Sequence, residues 1–440
     1  MMEFFGRTED IRELRRIRKL SAETSRFTVV TGRRRVGKTE LIYKSFEDRP
    51  YVYFLVTRSA EKELCETFQA EYERVTGRHL PAQVEKFGNL FRWIMEMAVE
   101  TPLTLVIDEF QEFDRVNPSV FSEMAGAWDR WHRSAKINLV VCGSVNRLMN
   151  KIFFDDGEPL YGRNTGKLTL APFSVSELKS ILRTRNRRFH GDDLLALWTL
   201  TGGVARYVEQ LIDEKAYDRE SMIDTVFRRG SSAIDEGKSI LVQEFGKDYG
   251  TYFSILSAIA CGKTSYGDIR NAIGSDPGAY LSNLETEYSL VSKVLPAYAA
   301  SGGKNSKYKI EDRFFRYWFR FIWKNQYLIE LGKFDRLRDL VRRDFDVFSG
   351  EGLESYFKAK FKESEPYTRI AAWWDRKGEN EIDLVCEDED SGILDFFEIK
   401  RDPKRYDHCL LEEKVEAFLR KNPDKKNMRI RLQGLSLADL

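Results

Sequence analysis

The chain has 440 residues, roughly three times the length of an average domain, so two or three hydrophobic cores are expected rather than one small module. Its 71 lysines and arginines balance 70 acidic residues, which excludes a globally basic nucleic-acid binder and makes any DNA-binding surface a local one. Five scattered cysteines form no CxxC pair, and no apolar run is long enough to cross a bilayer. We therefore expect a cytoplasmic, globular protein without a disulfide framework, a zinc site or membrane contact.

A phosphate-binding loop follows the first predicted strand. The β-branched run 27–31 predicts a buried strand, and the segment that begins at Lys38 predicts a helix. Between them, GRRRVGKT matches GxxxxGK(S/T) in full, with glycines that let backbone N–H groups surround phosphates. Lys38 would reach the β- and γ-phosphates, and Thr39 would bind Mg²⁺. The sequence thus predicts an ATP site made by Gly32, Arg33, Arg34, Arg35, Val36, Gly37, Lys38, Thr39 and Glu40. The three arginines fill variable loop positions, where exposure to solvent or to a partner is expected.

Two further strand ends supply candidate catalytic groups. The apolar run 103–107 ends in Asp108 and Glu109, where an acid can hold Mg²⁺ beside the phosphates and the next can activate water. We assign Asp108 to the metal and Glu109 to the general base. The run 137–142 is followed by GSVN, in which Ser144 or Asn146 would sense the γ-phosphate, with a simple turn as the equal alternative.

Apolar runs alternate with helical patterns through the first third of the chain. This alternation predicts an α/β fold with a parallel sheet covered on both faces. The expected strands are 27–31, 51–56, 103–107, 137–142 and 167–170. After Pro172 the pattern becomes helical, which predicts a lid behind the nucleotide.

Six short motifs occur in one order: FFGRTEDIREL, the phosphate-binding loop, LVIDEFQEF, VVCGS, LYGR and TGGVARY. Together they resemble archaeal-type ATPases of the AAA/STAND group of P-loop proteins. The resemblance implies that the adenine lies near Phe5, Gly6 and Arg7. Asp10 stands where the family usually has Glu. Arg163 would correspond to the arginine that senses or stabilises the γ-phosphate, in cis or in trans, and Arg206 to the lid sensor arginine.

Three short helical patterns with tight turns follow Tyr249, and an alternating segment comes after them. This layout is typical of a winged helix-turn-helix. The third helix would turn four side chains to a groove: Ala279, Tyr280, Asn283 and Glu285. It carries Glu285 and Glu287 but no arginine, so the phosphate partners expected in the wing are Lys304, Ser306 and Lys307. DNA contact and protein packing remain equal alternatives for this module.

The segment DRFFRYWFRFIWKNQYLIEL is too aromatic for an exposed helix. Its cations recur at steps of three and four residues and would share one helical face: Arg313, Arg316, Arg320 and Lys324. We expect a core helix with a solvated basic face, and the alternative is a stripe that follows a phosphate backbone.

The last quarter places acids and a lysine on neighbouring predicted strands. Asp383 lies in one strand, and Glu398 and Lys400 point to the same side of the next. Such a set suits metal-dependent phosphodiester hydrolysis, with Asp383 and Glu398 as Mg²⁺ ligands. Lys400 would position the nucleophile or stabilise developing charge. The pattern resembles that of PD-(D/E)XK nucleases, with Glu354 as the acid of the preceding helix. Whether this restriction-endonuclease-like domain cleaves is left open.

The sequence therefore predicts a Mg²⁺-dependent ATPase whose nucleotide state controls a DNA-binding winged helix and a nuclease-like domain. The alternative is a nucleotide-gated switch or scaffold that binds DNA or protein through an inactive nuclease-like domain. Double-stranded DNA is the expected macromolecular ligand, and a homo-oligomer or a protein partner stays open. The predicted domains are 1–172 (ATPase core), 173–236 (lid), 237–312 (winged helix) and 313–440 (aromatic helical connector and nuclease-like domain).

Overall fold

A computed structural model describes residues 5–80, 82–144, 146–245, 249–300 and 305–440. The chain divides into two compact units, residues 5–172 and residues 173–440. In the described part of the chain, none of the helices combines the length and the apolar character that crossing a bilayer requires.

The first unit is built on five parallel strands in the order β2-β3-β4-β1-β5. The strands are β1 Arg26–Thr31, β2 Val52–Leu55, β3 Leu103–Asp108, β4 Ile137–Gly143 and β5 Gly166–Thr169. The predicted parallel sheet is confirmed, and every residue of the central strand β4 is buried. The helices are α1 Thr8–Leu20, α2 Lys38–Phe46, α3 Glu61–Thr76, α4 Phe87–Met97, α5 Phe113–Val116, α6 Ser119–Trp131 and α7 Asn146–Phe154.

Parallel pairing brings the carboxyl ends of these strands to one edge of the sheet. The phosphate-binding loop follows β1, Asp108 ends β3, and Ser144 follows β4. Because β1 pairs with β4 and β4 pairs with β3, the groups at these three strand ends become neighbours.

The second unit begins with helices. They are α8 Val175–Arg185, α9 Gly191–Thr201, α10 Ala205–Asp213, α11 Arg219–Val226, α12 Ser232–Phe245, α13 Tyr249–Ala260, α14 Tyr266–Ile273 and α15 Gly278–Thr286. An antiparallel hairpin of β6 Val291–Val294 and β7 Lys307–Ile310 follows α15. Three helices followed by a hairpin is the element order expected for residues 249–312.

The aromatic segment is not one regular helix. It consists of α16 Arg313–Tyr317, a π-helical turn Trp318–Ile322, a 3-10 turn Trp323–Asn325 and α17 Gln326–Glu330. A regular helix would leave part of such a dense aromatic run in solvent, whereas the wider π-turn redirects the side chains. Trp318, Phe319, Phe321 and Ile322 are all buried as a result.

A long helix and a mixed sheet complete the second unit. These elements are α18 Phe334–Ser364, β8 Arg369–Trp374, β9 Glu381–Asp388, β10 Ile393–Ile399, α19 His408–Lys421 and β11 Arg429–Leu435. The sheet has the order β11-β10-β9-β8, in which only β10 and β11 run parallel. Lys400, expected on the third predicted strand, directly follows β10.

Candidate nucleotide site and a second charged cluster

The phosphate-binding loop has a backbone that requires its glycines. Gly32 has a φ of 152°, and a Cβ there would lie 2.6 Å from the backbone oxygen of Leu170. Gly37 has a φ of 96°, and Arg35 also adopts a positive φ, of 67°. Val36 is fully buried between them and anchors the loop. At positions 32 and 37 the conformation therefore depends on glycines that the motif specifies, because L side chains rarely adopt such φ values.

Lys38 lies inside the loop rather than in solvent. Its ammonium donates hydrogen bonds to the backbone oxygens of Gly32, at 2.9 Å, and Arg33, at 3.1 Å. Burial lowers the pKa of Lys38, and nearby Arg34 adds to this effect, whereas the acids Asp108 and Glu109 oppose it. An anion placed at the loop would therefore gain a buried positive charge already aimed at it.

Asp108, 3% exposed at the end of β3, accepts four hydrogen bonds. The Thr39 hydroxyl (2.9 Å) and the Tyr53 hydroxyl (2.7 Å) donate to one carboxylate oxygen. The Cys142 thiol (2.7 Å) and the Glu109 amide (2.8 Å) donate to the other. Hydroxyl and carboxylate oxygens are ligands that Mg²⁺ prefers, so the Thr39 and Asp108 pair fits that ion.

Glu109 follows with a left-handed backbone, at a φ of 52°. Its carboxylate accepts hydrogen bonds from the Ser144 hydroxyl at 3.0 Å and from the Gln111 amide at 2.5 Å. Gln111 is fully buried, so this end of the sheet holds the glutamate firmly. The structure thus brings Ser144 to Glu109, while the side chain of Asn146 lies outside the described residues.

Tyr53, Cys142 and Gln111 were not among the predicted site residues. Tyr53 lies on β2 and Cys142 on β4, the two strands that flank β3. Burial, followed by the Asp108 carboxylate, raises the pKa of the Tyr53 hydroxyl and of the Cys142 thiol, so both remain protonated donors. Strand order is the signal that would have identified them, and strand order is a tertiary property.

The opening motif lies against the phosphate-binding loop. The Arg7 guanidinium donates to the backbone oxygen of Ala171 at 2.5 Å and to that of Val36 at 3.4 Å, and it lies 3.9 Å from Asp10. Gly6 and Arg7 both adopt positive φ values, which turn the chain into α1. The segment from Phe5 to Arg7 is therefore next to the loop, as a base-binding role would require.

Arg163 lies at the opposite edge of the sheet from the loop. The Thr165 amide donates to the backbone oxygen of Phe27, so this segment flanks the amino end of β1, whereas the loop follows its carboxyl end. A strand rises about 3.3 Å per residue, which separates the two places by about 17 Å. Arg163 instead pairs with Asp129 at 2.6 Å. Within one chain, this position does not reach a γ-phosphate.

Arg206, the other arginine implied by the resemblance, lies on α10 in the second unit. Within that unit it is exposed and pairs with Glu209 at 3.4 Å. The Glu40 side chain, at the start of α2, is also exposed.

In the second unit, β9, β10 and α19 bring charged groups together. Lys400 lies 2.7 Å from Glu398 and 3.9 Å from Asp383. Lys414, which was not predicted, donates to both Glu398 oxygens at 3.0 and 2.9 Å. The Ile399 amide donates to Asp383 at 2.7 Å. We call Glu354, Asp383, Glu398, Lys400 and Lys414 the C-terminal cluster.

Two carboxyl groups of this cluster, those of Glu354 and Asp383, resist ionisation. Burial, followed by the neighbouring Asp383, raises the pKa of Glu354 to about 8. Burial and the neighbouring Glu398 likewise raise the pKa of Asp383 to about 6, although the hydrogen bond from the Ile399 amide lowers it. Burial disfavours the charge of Lys400, but its pairing with Glu398 outweighs this and raises its pKa. Throughout the described residues, no three His, Cys, Asp or Glu side chains form a preformed metal site.

In the helices and hairpin of residues 249–310, side chains for which DNA contact and protein packing were equal alternatives make contacts within their own unit. On α15, the Asn283 amide donates to the Tyr252 hydroxyl at 3.1 Å, and Glu285 accepts from the Lys293 amide at 3.2 Å. Lys307 pairs with Glu381 at 2.8 Å. Lys304 lies outside the described residues. The phosphate role predicted for Lys307 therefore competes with an ion pair.

The aromatic segment was expected to present a solvated basic face, with a phosphate-following stripe as the alternative, but three of its four cations make contacts inside the unit. Arg313 stacks on the Trp198 ring at 4.3 Å, Arg316 pairs with Glu351, and Arg320 lies 3.4 Å from Asp344. These guanidinium groups neutralise acids and cover aromatic rings inside the unit. Of the four cations, Lys324 has the exposed side chain.

Comparisons with known proteins agree with this geometry. Residues 4–211 match the family model of an ATPase domain found predominantly in Archaea. Residues 318–429 match DUF234, a family of archaeal and bacterial proteins of unknown function. A Methanocaldococcus jannaschii protein, named uncharacterized protein MJECL04, is 27% identical over 407 residues, which cover 90% of this chain and 87% of that protein.

Solved structures share the fold. The Walker-type ATPase paby2304 of Pyrococcus abyssi has a TM-score of 0.53 at 21% identity, covering 72% of this chain and 96% of that one. The Aeropyrum pernix ORC2 protein, in ADPNP and ADP complexes, has a TM-score of 0.53 at 15% identity, covering 78% and 96%. The predicted P-loop ATPase is confirmed.

Proposed function

We propose that this P-loop ATPase hydrolyses Mg²⁺-bound ATP in its first unit and that nucleotide state controls a phosphodiester-hydrolysing site in the second. The convergence of Asp383, Glu398 and Lys400 is the observation that carries the second part. DNA is the proposed substrate, because a phosphodiester suits two carboxylates and a lysine.

At the P-loop, each side chain has a role that its contacts support. Lys38 would exchange its two neutral backbone acceptors for charged phosphate oxygens, which form stronger hydrogen bonds. Thr39 and Asp108 would hold Mg²⁺, which neutralises phosphate charge. Glu109 would orient and deprotonate the attacking water, with Ser144 setting the position of its carboxylate.

Steady-state ATP turnover in Mg²⁺ tests these assignments. Lys38→Ala should abolish turnover, because it removes the buried charge that faces the phosphates. Lys44→Ala is the matched control, since Lys44 lies on the same helix and pairs with Glu47 at the surface. Unchanged turnover in Lys38→Ala would overturn the assignment.

The C-terminal cluster offers oxygen donors that suit a hard divalent cation. Glu354 makes no hydrogen bond or ion pair with any described residue, so its carboxyl group remains available beside Asp383. A cation held by Asp383 and Glu398 would polarise the phosphate and lower the pKa of a bound water. Lys400 reaches both carboxylates and would orient the nucleophile between them.

A cleavage assay tests this half of the proposal. Linear and circular DNA are incubated with Mg²⁺ or Mn²⁺, with and without ATP. We expect Asp383→Ala to abolish cleavage, whereas Glu379→Ala, which changes an exposed acid just before β9, should retain it. Equal cleavage by both variants would refute the assignment.

Control by nucleotide state has a physical route inside the second unit. Arg401, next to Lys400, pairs at 2.5 Å with Asp192 at the start of α9, and its guanidinium donates to Ser349 of α18 at 2.7 Å. A displacement of α9 would therefore move the backbone that carries Lys400. Arg401→Gln should leave ATP turnover intact and abolish any ATP effect on DNA cleavage or binding.

A nucleotide-gated switch that does not cleave is the second candidate. Lys400 and Lys414 both pair with Glu398, which leaves its carboxylate less available to a catalytic cation and suits binding without hydrolysis. This candidate predicts ATP-dependent binding of DNA or a protein and no cleavage with either metal.

A further inference from the structure

Lys414 enters the C-terminal cluster from a rigid helix. Leu411, Val415 and Phe418 of α19 are buried in the core of the mixed sheet, which fixes the helix that carries Lys414. The Lys414 side chain is 14% exposed and that of Glu398 is 7% exposed. This ammonium is therefore largely removed from water and depends on Glu398 for its counter-charge.

Glu398 cannot serve Lys414 and a divalent cation together. Lys414 donates to both carboxylate oxygens, and Lys400 donates to one of them. A cation bound by Asp383 and Glu398 would occupy those same oxygens and would repel an ammonium about 3 Å from them. Cation binding therefore requires Lys414 to release Glu398.

A released Lys414 needs another acceptor, because an unpaired ammonium in a mostly buried position is costly. The phosphate group that a cation recruits brings negatively charged oxygens to this place. We infer that Lys414 is a phosphate-binding residue of the C-terminal cluster, which competes with the divalent cation for Glu398 and binds a phosphodiester oxygen once the cation is held. This inference rests on the proposed cation site of the second unit.

Direct Mn²⁺ binding, followed through the spin-resonance signal of free Mn²⁺, provides the first test. Four full-length proteins are compared in the absence of nucleotide: wild type, Lys414→Met, Asp383→Ala and Lys421→Met. Lys421 is the matched control, since it is an exposed lysine on the same helix, two turns further on. Binding that survives in Asp383→Ala belongs elsewhere in the chain.

We expect Lys414→Met to bind Mn²⁺ more tightly, on the order of tenfold or more, because one nearby positive charge is removed. Lys421→Met should match wild type. A gain in affinity is diagnostic, since damage to the fold would lower it. The second test is binding of a short DNA duplex in Ca²⁺, where Lys414→Met should weaken binding and Lys414→Arg should preserve it.

Each other outcome is decisive. If Asp383-dependent Mn²⁺ binding exists and Lys414→Met does not tighten it, the competition is refuted and the proposed cation site stands. If neither wild type nor Lys414→Met shows Asp383-dependent binding, both are refuted. Tighter Mn²⁺ binding with unchanged DNA binding would refute the phosphate role alone.

Discussion

The buried carboxyl group of Glu354 makes the stability of the second unit depend on pH, and Glu354→Gln should reduce that dependence. Each unit of pKa corresponds to about 1.4 kcal/mol. The rise of the Glu354 pKa from 4.5 to about 8 thus sets an upper bound of about 5 kcal/mol on its effect. Partial exposure of the side chain and relaxation around it reduce our expectation to about 2 kcal/mol.

The sign follows from proton uptake on folding. Between pH 4.5 and about 8, the folded protein keeps the Glu354 proton that the unfolded chain has lost. The free energy of unfolding therefore falls as pH rises through this window. Glutamine has a similar shape and no titration, so Glu354→Gln should be more stable than wild type at pH 8 and should show a shallower decline.

Urea unfolding of the full chain in EDTA, at several pH values from 5 to 8.5, measures this difference. Glu416→Gln is the matched control, because Glu416 is an exposed acid on α19. The free energy of unfolding of Glu416→Gln should change with pH in parallel with that of wild type. A Glu354→Gln curve that is also parallel to wild type across the window would refute a protonated Glu354 at neutral pH.

Three further outcomes are expected. Gly32→Ala should abolish ATP binding, measured by fluorescent-nucleotide titration, because the new Cβ would lie 2.6 Å from a backbone oxygen. Gly157→Ala is the control and should bind ATP normally, because a Cβ at Gly157 would have only one atom within 4 Å. Tyr53→Phe removes a hydrogen bond to a charged group, worth about 1.5–3 kcal/mol, so kcat or the Mg²⁺ requirement of ATP turnover should change about tenfold or more. Tyr51→Phe should leave both kcat and the Mg²⁺ requirement unchanged. Equal behaviour of the two tyrosine variants would contradict the role of Tyr53 in positioning Asp108. Arg163→Ala should leave ATP affinity unchanged, since Arg163 pairs with Asp129 near the amino end of β1, whereas the loop follows its carboxyl end. A large loss of affinity in dilute monomer would contradict this placement.

Local chemistry made much of the first unit predictable. Residues 27–39 specify a strand, a glycine-dependent turn and a helix start within a few residues of one another, and no distant contact is needed to identify them. The apolar run that ends in Asp108 can likewise be identified without any distant contact. The five predicted strands agree with the observed strands to within one or two residues, because buried parallel strands are continuous apolar runs.

The arginines of the aromatic segment show where local pattern fails. Helical spacing placed Arg313, Arg316 and Arg320 on one face, but it did not specify what that face would meet. Glu351 and Asp344 come from α18, and Trp198 comes from α9, both distant in sequence. A basic stripe and a set of internal ion pairs have the same sequence pattern, so tertiary packing alone distinguishes them.

The sequence by itself determined the phosphate-binding loop, the acids at the end of β3 and the acid-lysine pair near the end of β10, because each is a short pattern whose chemistry depends on neighbouring residues. Only the tertiary structure decided which groups surround those residues. Tyr53 and Cys142 reach Asp108 because β3 lies between β2 and β4, and Lys414 reaches Glu398 because α19 packs on the mixed sheet. Strand order and helix packing depend on the whole core, which no local pattern records.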